Sequence, residues 1–262
     1  MAAKSSPPPA ASPSPLRLAL EDYWRQSRRP LASLAFVVPL LVLYEGGVLL
    51  LGPQAVRNGA DVWLRQLLDL AGMSQYFLLP VLTIGLLLAW HHVARDRWQL
   101  SVGVLYGMLI ECAALGLLLV GIARFEGLVA HGMLVAPTDQ GTTLAVAWGL
   151  AGRGAFVGRM LGFVGAGVYE EMLFRLLLLP PVAIFAKQLG AQPHLRTVAA
   201  VVLTSVVFAL AHYVGPYGEP FDAFTFGFRL TAGAIFAVIF VCRGFGIAAG
   251  THALYDIFVS VL

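Results

Sequence analysis

Of the chain's 262 residues, 59% are hydrophobic and only 12% are charged, whereas in a soluble domain roughly a quarter carry charge. A mean hydropathy of +0.81 places it among membrane proteins and excludes an ordinary water-soluble domain. The net charge of +3 does not imply nucleic acid, because the basic residues stand mostly in short segments beside apolar runs, where they report orientation.

Residues Met1 to Pro15 are mainly Ala, Ser and Pro and cannot bury enough apolar surface to order themselves. A disordered tail over 1–16 is expected, followed by a single helical domain over 17–262. The tail lacks the signal-peptide order of basic start, short apolar core and small-residue cleavage site, so the first span should stay as an anchor. Tyr23 to Arg29 is polar and juxtamembrane, with Trp24 and Arg28 suited to the headgroup level. Candidate spans follow at Leu31 to Leu51, Tyr76 to His92, Leu100 to Ala123, a long region from Thr142 to Ala186, Thr197 to Tyr213, Phe224 to Val241 and Phe245 to Leu262. Runs such as Leu34 to Val42 are apolar on consecutive positions, which excludes a β-barrel. The expected fold is all-α: a polytopic transmembrane bundle of seven to eight helices.

Between the first two spans, Gly52 to Ser74 reads as a short interfacial helix, with Val62, Leu64, Leu67, Leu68 and Leu70 interleaved with Asp61, Arg65 and Asp69. Lys4, Arg17, Arg25, Arg28 and Arg29 precede the first span. Simple alternation puts Arg95, Arg97, Lys187, Arg196 and Arg243 on that side, against Arg57, Arg65, Arg124 and Arg153 opposite, so a cytoplasmic N-terminus is expected. The expected location is a bacterial inner (plasma) membrane. Cys112 and Cys242 lie far apart in apolar segments, without CxxC spacing, and read as core packing. Small residues recur four apart at Gly103 and Gly107 and at Gly154, Gly158, Gly162 and Ala166, a spacing that lets helices approach closely in lipid. Glu111 continues the first of these faces into the bundle, with Arg159 or Arg229 as the expected partner. His91, His92, His131 and His194 stand at span ends or in loops and are expected to be solvated or interfacial.

Glu170 and Glu171 fall with Arg175 inside the apolar stretch Phe163 to Leu179. Each such charge costs about 2.5 to 3.5 kcal/mol at a membrane centre, so the three must be paired, watered or used. Residues four apart share a helix face, so Glu171 reaches Arg175 while Glu170, about 100° round, is left free to titrate or to activate water. Phe208 with His212, and His252 with Asp256, repeat the spacing on two later helices. Histidine passes protons near neutral pH and is seldom placed in a membrane without a partner. A carboxylate, two histidines and a further polar group on three helices suit hydrolysis.

Three motifs in this order resemble the CPBP family of CAAX prenyl proteases and bacteriocin-processing, abortive-infection-like intramembrane glutamic endopeptidases: Glu170, Glu171 and Arg175; Phe208 and His212; His252 and Asp256. The resemblance covers about the last 110 residues, with the catalytic motifs within about 150–262. It implies metal-independent peptide hydrolysis, with no cofactor, on a membrane-associated protein or peptide, lipid-modified or not. Glu170 would be the base that activates water, assisted by His212, while His252 and Asp256 would stabilise the oxyanion. Glu171 and Arg175 would support the site, and Phe208 carries no chemistry. Members acting on prenylated proteins usually have Asn at the last position. Asp256 can donate to an oxyanion only when protonated, which weighs against the prenyl assignment specifically and leaves general hydrolysis standing. Two other readings remain: a non-catalytic scaffold or immunity-type protein that keeps the motifs as a polar packing network, and a zinc protease, although the chain lacks a His-Glu-x-x-His helix.

Depth poses a difficulty. Glu170 would lie about 25 Å along a straight helix from Arg153, near the cytoplasmic face, and His212, about 15 residues into its own span, near the opposite one. The region 142–186 is therefore expected to be two helices or one bent near Gly165 to Gly167 or at Pro180-Pro181.

Overall fold

The computed structural model describes residues 14–52, 57–133, 153–215 and 218–262. The tail expected over 1–16 lies almost entirely outside these residues, as does the first part of the long region that begins at Thr142. Among the described residues every regular element is helical and no strand occurs, as the consecutive apolar runs require. The elements are α1 (Pro15–Ser27), α2 (Pro30–Leu51), α3 (Gly59–Leu70), α4 (Leu78–Ala94), α5 (Val102–Met133), α6 (Arg153–Glu171), a π-helical segment (Met172–Leu178), α7 (Leu179–Gln188), α8 (Pro193–Ala211), α9 (Ala223–Arg243) and α10 (Phe245–Val261).

Among the described residues four helices are long and apolar enough to cross a bilayer, at Pro30–Leu51, Val102–Ala130, Pro193–Ala211 and Ala223–Arg243; Leu78–Ala94 and Phe245–Val261 are shorter apolar helices. The chain is an integral membrane protein. Helix α6 is not among the four, since Arg153, Arg159, Glu170 and Glu171 lower its hydropathy. It is packed between α2 and α10, so neighbouring helices supply the surroundings its charges need. Leu50, Ile110 and Leu118 are exposed on the outside, while Glu171 and Arg175 are buried within, the inversion expected when lipid is the solvent.

Two apolar clusters hold the bundle together. One joins Val37, Leu41 and Tyr44 of α2 to Leu79 and Leu87 of α4 and Val164 and Val168 of α6. The other joins Met108 and Cys112 of α5 to Phe236 of α9 and Ile247 and Ala248 of α10. Helix α10 lies between them and is buried at every position from Phe245 to Ala253. Such enclosure needs small residues. A Cβ on Gly167 would fall 2.6 Å from the Ala249 carbonyl oxygen and 2.7 Å from the Ala253 Cβ, so only glycine lets α6 come this close to α10. The predicted ladder is displaced from this contact. A Cβ on Gly162 would meet nothing within 4 Å and one on Gly158 would make an ordinary 3.6 Å contact, so the close approaches fall instead at Gly165, against Tyr44 of α2, and at Gly167, on the opposite side against α10.

Of the two places offered for an irregularity in this region, the structure has one beside Pro180-Pro181 and none at Gly165 to Gly167. Helical backbone continues from Arg153 to Gln188, without a break at Gly165 to Gly167. At 1.5 Å per residue that run is on the order of 50 Å long, more than a bilayer core, and Glu170 stands near its middle. Helix α8 then packs back along α7, with Ala200 near Leu179 and Val182, which brings Phe208 and His212 to the level of the glutamates. Pro180 and Pro181 leave their mark as the π-helical segment just before them. Neither prolyl nitrogen can donate to the preceding turn, and the turn widens to accommodate the rings.

Three further expectations are corrected. Glu111 pairs with Arg243, not Arg159 or Arg229: Arg243 Nε donates to Glu111 Oε1 over 2.6 Å, and the Tyr23 hydroxyl donates to Glu111 Oε2 over 2.5 Å. Arg229 instead holds Glu219 at 2.9 Å. His91 is fully buried, with its ring edge-on to Trp98 at 4.4 Å, because the segment after α4 folds back over it. Cys112 is core as expected, but Cys242 is exposed.

Candidate functional site

The end of α6 and the π-helical segment carry Glu170, Glu171 and Arg175, and α10 carries His252 and Asp256. Close packing at Gly167 sets their separation. His252 Nδ1 donates to Glu171 Oε1 over 2.8 Å, and the other oxygen of Glu171 forms an ion pair with Arg175 Nε at 3.2 Å. Arg175 Nη2 donates to the Gly233 carbonyl over 2.9 Å. Its guanidinium lies over the rings of Phe208, Phe236 and Phe174 at 4.6, 5.7 and 5.9 Å, so aromatic faces replace the water that a buried cation loses. The inequivalence read from helix geometry holds: Glu171 is fully buried and tied at both oxygens, whereas the Glu170 side chain keeps 13% of its surface open.

Glu170 Oε1 accepts a hydrogen bond from Asn58 Nδ2 over 2.8 Å. Its Oε2 has no hydrogen-bond partner and lies 3.8 Å from His252 Nε2, and Asp256 Oδ2 stands 3.6 Å from that same nitrogen. Both separations exceed a direct hydrogen bond. The His252 ring is stacked on Phe236, with centroids 4.4 Å apart and 13° between planes, so it is held on a face as well as at Nδ1.

His212 caps the end of α8. Its Nδ1 is 2.9 Å from the Phe208 carbonyl oxygen, and its ring is edge-on to Phe208 at 5.0 Å. Phe208 lies 6.0 Å from His252 on another side, so the two histidines flank one aromatic ring. Glu170, Glu171, Arg175, His252 and Asp256 are thus joined by polar contacts, and His212 meets them through Phe208. Among the described residues, no three His, Cys, Asp or Glu side chains converge as they would to hold a metal ion.

Sequence reasoning missed Asn58 and Phe236. Asn58 carried one local signal, an Asn ahead of an amphipathic run, which marks a helix cap. Its reach to Glu170, across 112 positions, had none. Phe236 stands in an apolar helix where nothing distinguishes it from a lipid-facing neighbour.

Residues 153–258 match the family model described as type II CAAX prenyl endopeptidase Rce1-like. The match covers the segment that carries all three motifs and bears out the resemblance read from them. No curated protein and no solved structure matches the chain.

Proposed function

We propose that this chain, similar over residues 153–258 to type II CAAX prenyl endopeptidases, is a metal-independent intramembrane endopeptidase. Its substrate in this reading is a peptide bond of a membrane-associated protein or peptide. The observation that carries the proposal is the convergence of the unpartnered Glu170 Oε2 with His252 Nε2 at 3.8 Å, and of that nitrogen with Asp256 Oδ2 at 3.6 Å. A water held there touches a carboxylate base on one side and an imidazole on the other. Glu170 takes a proton from the water as its oxygen attacks the carbonyl carbon. The oxygen of the tetrahedral intermediate is then stabilised by a protonated Asp256 and by His252 as an imidazolium, whose Nδ1–H is engaged by Glu171 and whose Nε2–H faces the oxyanion, and the proton passes from Glu170 to the leaving amine.

Glu171 and Arg175 act one step back. Glu171 fixes His252 at Nδ1, so Nε2 is the nitrogen presented to the reaction, and Arg175 keeps that buried carboxylate neutralised. His212, on the far side of Phe208, assists the base from the open end of α8. Asp256 stands where members acting on prenylated proteins usually have Asn, so the test uses both kinds of peptide. Residues 17–262 are read as one domain in a bacterial inner membrane with the N-terminus in the cytoplasm.

Purified protein should cleave a farnesylated CAAX peptide, its unmodified counterpart or both, insensitively to chelators, and Glu170→Gln should abolish cleavage while leaving the melting temperature unchanged. Full activity in Glu170→Gln would refute the assignment. Loss of activity with a chelator and its return with zinc would transfer it to metal hydrolysis.

A further inference from the structure

Helix α3 is tied at its start to α2 and α6. The Asn58 backbone N–H donates to the Tyr44 hydroxyl over 3.3 Å, and Tyr44 is seven residues inside the end of α2 at Leu51. At 1.5 Å per residue the start of α3 therefore reaches about 10 Å into the bundle. A buried frame of charges holds it there. Asp61, fully enclosed, accepts from the Tyr44 hydroxyl at 2.9 Å, from Arg57 at 2.6 Å and from Arg65 at 2.6 Å. Arg65 also donates to Glu45 over 2.7 Å, and Glu45 accepts from the hydroxyl of Tyr169 over 2.5 Å. Tyr169 is the residue before Glu170. Two carboxylates and two guanidiniums balance, so the frame fixes α3 to both α2 and α6 without a net buried charge.

Within it the orientation of the Asn58 amide is dictated. Its Oδ1 caps α3 by accepting from the Ala60 N–H over 2.8 Å, which leaves the NH2 group to face Glu170 Oε1 at 2.8 Å. A glutamate carboxylate rotates easily about its last torsion. Pinning Oε1 turns Oε2 toward His252.

We propose, resting on the catalytic role of Glu170 above, that Asn58 is a positioning residue for that carboxylate, and that α3 is held inside the bundle to deliver it. The amide does not touch substrate. It raises the fraction of time that Glu170 Oε2 spends where it can take a proton from the attacking water.

The test compares wild type, Asn58→Asp, Asn58→Ser and Glu170→Gln as purified full-length proteins, with a farnesylated CAAX peptide as substrate and thermal melting as control. Asp and Ser both preserve the α3 cap. Neither supplies the amide donor, and Ser avoids setting a second carboxylate against Glu170. The expected result is a kcat lower by about tenfold to a hundredfold in both Asn58 variants, the scale of a misplaced reacting group, with KM and melting temperature near wild type. Wild-type kcat in Asn58→Ser alongside an inactive Glu170→Gln would overturn the positioning role alone, as would a raised KM with unchanged kcat, which would place Asn58 on the substrate. Full activity in Glu170→Gln, or no cleavage by the wild type, would remove the endopeptidase reading beneath it.

Discussion

Replacing Arg175 with Ala removes the guanidinium that faces Glu171 in a fully enclosed pair. The arginine side chain is 1% exposed and the glutamate 0%, with 3.2 Å between them. Breaking one side of a buried pair leaves an uncompensated charge and costs about 3 to 5 kcal/mol. The Gly233 carbonyl and the three aromatic faces lose their partner in the same step. For a chain of this size, a loss of about 3 kcal/mol lowers the melting temperature by about 6 to 12 °C. The assay is thermal and denaturant unfolding of the purified protein in detergent, run as a double-mutant cycle with Glu171→Gln. If the penalty is the stranded carboxylate, Arg175→Ala with Glu171→Gln should be less destabilised than the sum of the single variants, with a coupling of about 2 to 3 kcal/mol. A single-variant loss below about 1 kcal/mol, or strict additivity, would refute the buried-pair reasoning.

Other outcomes follow from the same contacts. Gly167→Ala should destabilise by about 1 to 3 kcal/mol, since its Cβ falls on the α10 backbone, while Gly162→Ala, with open space around it, should be neutral or stabilising; unfolding midpoints of the two variants decide it. Asp222 caps α9 by accepting from the Thr225 N–H over 2.8 Å, and that bond with the Thr225 hydroxyl holds its carboxyl below the ordinary value of 3.8. A carboxyl held low in the folded state adds stability at pH above its ordinary value and loses it as pH falls through the lowered one. Asp222→Ala should therefore melt below wild type at neutral pH, with the gap closing in strong acid; a gap independent of pH would contradict this.

The all-helical class was legible because lipid demands long apolar runs, and these survive any uncertainty about packing. The three motifs were legible for a related reason: polar residues in such runs are expensive, so each one stands out. The i to i+4 rule separated Glu171 from Glu170, since that relation is local to one helix. Relations between helices were hidden. Glu111 was paired with the wrong arginine because partners are chosen by depth, and Arg243 reaches it at the end of α9 where α1 also docks. Depth was not legible from Arg153, because the helical run that starts there is longer than a bilayer core and its sequence does not say where along it the membrane lies. His91 was expected at an interface, yet Trp98 covers it. Asn58 could be read as a helix cap from its neighbours, whereas its bond to Glu170 exists only once the buried charge frame has drawn α3 inward.

The central claim is that Glu170 activates water for peptide-bond cleavage. Its most direct measurement is a comparison of protein termini in membranes from cells carrying the wild-type chain or Glu170→Gln at equal abundance. New termini that appear with the wild type and vanish with the variant are the predicted result; identical sets of termini from the two membranes would contradict it.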